Sequence, residues 1–147
     1  MVRGGFWMTL IGLLLGGCSG TLPEGLGIRD GRLAPCPQSP NCVCSQAGDA
    51  PHRIAPFVYQ GERSAALARL QAALTAVPRT ALVTARADYL HATSASLIFR
   101  FVDDLEFYLP EDRKVIEVRS ASRLGHSDFG VNRRRIETLR AVFDATP

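Results

Sequence analysis

Between Leu97 and Leu109 the chain alternates two sets of side chains. Leu97, Phe99 and Phe101 are interleaved with Ile98 and Arg100, then Leu105, Phe107 and Leu109 with Glu106 and Tyr108. A period of two belongs to a strand with one buried face, which restricts the fold to one whose sheet is covered on that side. Val102-Asp103-Asp104 between the two runs is either a turn or a bulge in one long strand. Short strands over 81–86 and 89–94 precede it, joined through Ala87-Asp88. Pro110-Glu111-Asp112-Arg113 is a turn, and a further strand follows over 115–121. An earlier strand is expected over 54–59.

Two segments change to helical spacing. Over 64–77, Leu67, Leu70, Leu74 and Val77 form one stripe, and Pro78 stops the helix. Over 128–143, Phe129, Asn132, Ile136, Leu139 and Phe143 share a face, Arg134 points away, and Arg133 and Arg140 flank the stripe. The order strand, helix, strands, helix implies an α+β domain: an antiparallel sheet of about five to six strands with two helices packed on one face. Residues 52–147 form this single domain.

The N-terminus carries an export signal. Arg3 precedes an apolar run over 6–15 that ends in Leu15-Gly16-Gly17-Cys18. Small residues before a cysteine suit a bacterial lipoprotein signal over 1–17, with Cys18 acylated by long-chain, palmitate-type groups. The run is shorter than the roughly 20 residues a membrane span needs. Ser19 follows Cys18 with no aspartate retention signal, so an outer membrane facing the periplasm is expected. Residues 18–51, rich in Gly, Pro and Ser, read as the acylated N-terminus, a tether and a cysteine-clipped lead-in loop. Of the thiols left after Cys18, Cys36 and Cys42 suit a bridge around Pro37 and Pro40, whereas Cys42 and Cys44 are too close to pair without strain. Cys44 is left free or mixed.

A net charge of +3 is too small to imply nucleic acid as a partner. Zinc at Cys36, Cys42, Cys44 and His52 matches no common ligand spacing, and Asp103, Asp104 and Glu106 read as charges on a turn in preference to a metal site. No metal or cofactor is expected. Arg100, Glu106, Tyr108, Glu117 and Arg119 should face away from the helices as a solvated surface with cross-strand ion pairs.

The densest polar stretch lies between the last strand and the last helix. Ser127 or Asp128 is placed to cap that helix, and a helix N-terminus with hydroxyls and arginines nearby is a candidate anion site. The candidate ligand-binding set is Arg119, Ser120, Ser122, Arg123, Ser127, Asp128, Asn132 and Arg133. Asn132 is expected to lock the corner from beneath while Arg119, Arg123 and Arg133 present charge. No catalytic residue is assigned. His126, Ser127 and Asp128 are adjacent, which hinders an in-line triad, and no G-x-S-x-G elbow is present. The expected role is a non-enzymatic module that binds a polar or anionic ligand or an envelope partner; the alternative is a small envelope hydrolase or transferase using Ser, Asp or His of the same corner.

Four blocks, in order, resemble one family: Ala34-Pro35-Cys36-Pro37-Gln38-Ser39-Pro40-Asn41-Cys42-Val43; His52-Arg53-Ile54-Ala55-Pro56; Phe99-Arg100-Phe101-Val102-Asp103-Asp104-Leu105-Glu106-Phe107; and Arg119 to Arg135, with Ser127-Asp128-Phe129-Gly130-Val131-Asn132-Arg133-Arg134-Arg135 at its end. This is the family labelled domain of unknown function 1499, and the resemblance runs over about 33–143. It implies a single-domain envelope protein and supplies no reaction. The chain departs from the family pattern at Cys44, where serine is usual, and at His126, where tyrosine is expected.

Overall fold

The computed structural model describes residues 20–97 and 100–146. In chain order the elements are β1 (Cys42–Cys44), β2 (Phe57–Val58), α1 (Arg63–Ala76), β3 (Thr80–Ala85), β4 (Tyr89–Ala95), β5 (Val102–Tyr108), β6 (Val115–Ser122) and α2 (Val131–Ala145). They build a six-stranded antiparallel sheet in the order β1-β6-β5-β4-β3, with β2 paired to the start of β6. Both helices belong to the face that holds the hydrophobic core, so the α+β architecture expected from the periodicity is the one observed.

The alternation in β5 works as read. Leu105, Phe107 and Leu109 are buried with Ile116 and Val118 of β6 and Leu90 and Ala92 of β4. Helix α1 adds Ala66, Leu70, Ala73 and Leu74, and α2 adds Ile136, Leu139 and Phe143. Phe57 is wedged between Phe107 and Phe143, with ring centroids 6.2 and 5.5 Å away. Each buried Leu, Ile, Val or Phe side chain stabilises the fold by about 1.5–3 kcal/mol through burial.

Three expectations change. Val102-Asp103-Asp104 is neither a turn nor a bulge: it opens β5. Leu97 and Phe101 lie outside the strands and are exposed, as is Arg100; Phe99 lies outside the described residues. Phe129 sits before α2 with φ +53° and is 87 % exposed, so it leaves the apolar stripe to which the helical wheel assigned it.

A fourth change concerns the lead-in segment. From residue 20 onward it packs on the sheet instead of hanging from it as a tether. Leu33 is buried, β1 extends the sheet through Cys42↔Ala121 and Cys44↔Arg119, and the Gly27 N–H donates to Glu106 Oε1 at 2.7 Å. The face of the sheet opposite the helices is therefore covered. Glu106 has no exposed surface, and Glu117 and Arg119 are buried as well. The expected cross-strand pair exists, Glu106 with Arg119, but in a sealed layer and not on a solvated surface. Cys36 and Cys42 form the expected disulfide, and Cys44 is free and buried.

Candidate functional site

Strand parity divides the polar corner. On β6, Ser120 and Ser122 face the helices with Ile116 and Val118, whereas Arg119 and Arg123 face the other way. Asn132 is buried on the helix side and fully engaged. Its Oδ1 accepts from Ser120 Oγ and from Arg135 Nη1 (3.1 Å), and the two hydrogens of its Nδ2 are shared among three acceptors, the Asn41 carbonyl (3.1 Å), Ser122 Oγ (3.0 Å) and Asp128 Oδ2 (2.9 Å). Asp128 Oδ1 accepts from the Gly130 N–H at 2.9 Å and Oδ2 from the Asn132 N–H at 2.7 Å, tying down the first turn of α2. Asp128 thus does the capping work, although Gly130 (φ +75°) is the residue at the cap position. Ser127 Oγ only accepts a long bond from the Phe129 N–H, at 3.3 Å, among the described residues. The inner half of the expected corner is a lock that joins β6, α2 and the loop before β1.

The two strand arginines are spent elsewhere. Arg119 Nη1 donates to Glu106 Oε2 at 3.1 Å, and Tyr89 OH donates to Oε1 of the same carboxylate at 2.8 Å. Burial, then the charge of Glu106 and the bond to it, push the Tyr89 phenol far above its ordinary value. Arg123 grips Asp104 with Nε and Nη2, both at 2.8 Å, and His91 Nε2 lies 2.8 Å from Asp104 Oδ1. Burial alone would raise the Asp104 carboxyl, but the bonds from Arg123 and His91 outweigh it and hold it below the usual carboxylate range. Arg119 and Arg123 are therefore neutralised on the face away from Asn132, and the eight candidate residues do not converge on one site. Asp103 turns to the helix side and pairs with Arg135 at 2.7 Å, which separates it from Asp104 and Glu106. His52 is held by Asp49 at 2.5 Å, and His126 is exposed. Among the described residues no three His, Cys, Asp or Glu side chains are gathered to hold a metal ion. Cys18 lies outside the described residues.

Arg133 leads to a different place. Its Nη1 and Nη2 donate to the Arg53 and Pro51 carbonyls, both at 2.8 Å. Beside it opens a cleft of about 780 Å³, lined by Ile54, Ala55 and Pro56 together with Arg32, Arg53 and Arg133. Arg32 Nη2 donates to the Gln46 carbonyl at 2.8 Å, and Arg53 Nε and Nη2 to the Ala47 and Gly48 carbonyls at 3.1 Å. All three guanidiniums are oriented by main-chain oxygens, and among the described residues none is paired with a carboxylate. The two acids of the cleft are already engaged, Glu117 with Arg113 at 3.1 Å and Glu137 with Arg140 at 2.9 Å. A guanidinium has five donors, so each of the three keeps N–H groups beyond those it has used. The sequence reading missed Arg32 and Arg53 because they sit on irregular chain with no period; only the block His52-Arg53-Ile54-Ala55-Pro56 hinted at Arg53.

Fold and cleft together define a small α+β domain whose open polar concavity is cationic. The chain belongs to the protein family of unknown function DUF1499, whose profile matches residues 32–143. That match starts within residues 18–51, the segment expected to hold the tether and the cysteine-clipped loop. No curated protein matches the chain.

Proposed function

We propose that this chain is an acylated envelope lipoprotein that binds an anionic ligand, bearing carboxylate or phosphate groups, in the cleft between Arg32, Arg53 and Arg133. The carrying observation is the set of three guanidiniums held by carbonyls and, among the described residues, left without a carboxylate partner. Charge-assisted, bidentate bonds to an oxyanion are among the strongest a surface site makes, and the carbonyl supports reduce the ordering cost of binding. Envelope placement is supported by Leu15-Gly16-Gly17-Cys18 and, for an outer membrane, by Ser19.

The test is a thermal-shift titration of the purified full chain with inorganic phosphate and with citrate, at low and at physiological salt. Arg32→Ala and Arg53→Ala should each weaken the response at least ten-fold while the ligand-free midpoint moves little, and salt should weaken it in the parent. A parent protein that shows no shift with either anion at millimolar concentration refutes the cleft. Placement is checked separately: Cys18→Ala should accumulate unprocessed precursor, and a variant still cleaved and still fractionating with lipid refutes acylation.

A further inference from the structure

One end of the sheet gathers apolar and cationic side chains. There β4 stops and β5 starts, leaving Leu97 74 % exposed. The Arg123 N–H donates to the Val102 carbonyl at 3.0 Å, which brings the chain after β6 to the same end, where Leu124 and Phe129 are exposed. Scattered exposed leucines are ordinary; several large apolar side chains exposed at one end of a sheet, with cations among them, point to an interaction surface.

The chain also arrives there. Gly20 (φ +63°) lies so close to the end of β6 that a Cβ on it would meet Arg123 Cβ at 3.0 Å and Leu124 Cγ at 3.3 Å, and Leu22 just beyond is exposed. Cys18 is two residues from Gly20, a reach of about 7 Å. The local charge is positive. Arg79 Nε bonds the Ala95 carbonyl and Arg134 Nη1 the Phe129 carbonyl, and Arg100 is exposed. Among the described residues these three have no carboxylate partner, whereas Asp103 and Asp104 nearby are spent on Arg135 and Arg123.

We propose that this end is the face that docks on the bilayer, with Leu22, Leu124 and Phe129 in the interface and Arg79, Arg100 and Arg134 among the lipid phosphates. The inference rests on the acylation of Cys18 proposed above and adds the orientation. Acyl chains held two residues from Gly20 bring this end, and not the 110–113 turn at the other, against the membrane. Apolar side chains ringed by arginines are the chemistry of an interfacial contact with anionic lipid.

The only tryptophan, Trp7, precedes Cys18, so a Trp7→Phe background carrying Phe129→Trp or Glu111→Trp gives one reporter at each end. Each full chain is produced with its leader, weighed by intact mass spectrometry, and reconstituted in phosphatidylethanolamine–phosphatidylglycerol vesicles with brominated acyl chains. The expected result is acylated protein in which bromine quenches Phe129→Trp at least two-fold and leaves Glu111→Trp unchanged. Acylated protein with equal quenching at both positions, or none at position 129, overturns the orientation; self-association that buries position 129 without quenching does the same. If the mass shows no lipid, the acylation reading fails by itself. The surface then stands only if Phe129→Trp is still selectively quenched and Leu124→Glu/Phe129→Glu abolishes sedimentation with the vesicles, and it falls if either is absent.

Discussion

Replacing Asn132 with leucine tests the lock between β6 and α2. Leucine keeps the number and branching of side-chain heavy atoms, though its methyl groups are bulkier than the amide, so the effect is mainly polar with a smaller overpacking cost. Ser120 Oγ, fully buried, loses its one hydrogen-bond partner among the described residues. An orphaned buried hydroxyl costs about 1–3 kcal/mol. The other partners are cushioned: the Asn41 carbonyl keeps the Ser122 N–H at 3.0 Å, Arg135 keeps Asp103, and Asp128 keeps the Gly130 N–H. Their lost bonds contribute about 0.5–1.5 kcal/mol each, partly offset by the burial of the leucine. The net destabilisation is about 3 kcal/mol, which lowers a urea midpoint by about 1.5 M at an ordinary slope. Ser120→Ala should rescue part of it, because the double variant buries no unsatisfied hydroxyl; the two changes should be non-additive by about 1 kcal/mol or more. Arg134→Ala, on the exposed face of the same helix, should stay within about 0.5 kcal/mol of the parent. The assay is urea unfolding of all four variants beside the parent. Equal midpoints for Asn132→Leu and Arg134→Ala, or strict additivity with Ser120→Ala, would refute the lock.

Three further outcomes follow from the covered face and its disulfide-clipped lead-in. Asp104 titrates below its unfolded value, so its stabilising contribution is present above about pH 4 and is lost as pH falls through the lower folded value. Asp104→Asn should therefore be less stable at neutral pH yet lose less on acidification, and unfolding curves between pH 2 and pH 7 with the same acid slope as the parent would contradict this. The Cys36–Cys42 bridge closes a short loop and should contribute about 2 kcal/mol, read as the fall in urea midpoint of Cys36→Ser/Cys42→Ser. Burial pushes the Cys44 thiol above its ordinary value, so peptide mapping should find it unlabelled by alkylating agents until the protein is denatured.

The sequence determined the elements that repeat. A period of two over 105–109 and of 3.6 over the helices is written by which side chains must leave water, and that requirement placed Leu105, Phe107, Ile136, Leu139 and Phe143 correctly. It also marked Asn132 as a polar group in an apolar stripe, and the spacing of Cys36 and Cys42 as that of a clip. Only the tertiary structure decided what covers the second face of the sheet. Ahead of β1, the segment over 20–41 packs through single main-chain bonds, such as Gly27 to Glu106, and through one buried leucine, Leu33. Contacts of that kind have no period and leave no trace in composition. Parity then separated Arg119 and Arg123 from Ser120 and Ser122, neighbours in sequence that a strand sends to opposite faces. Arg32, Arg53 and Arg133 became a site because folding brings residues up to 101 positions apart to one cleft and spends the nearby carboxylates on other arginines.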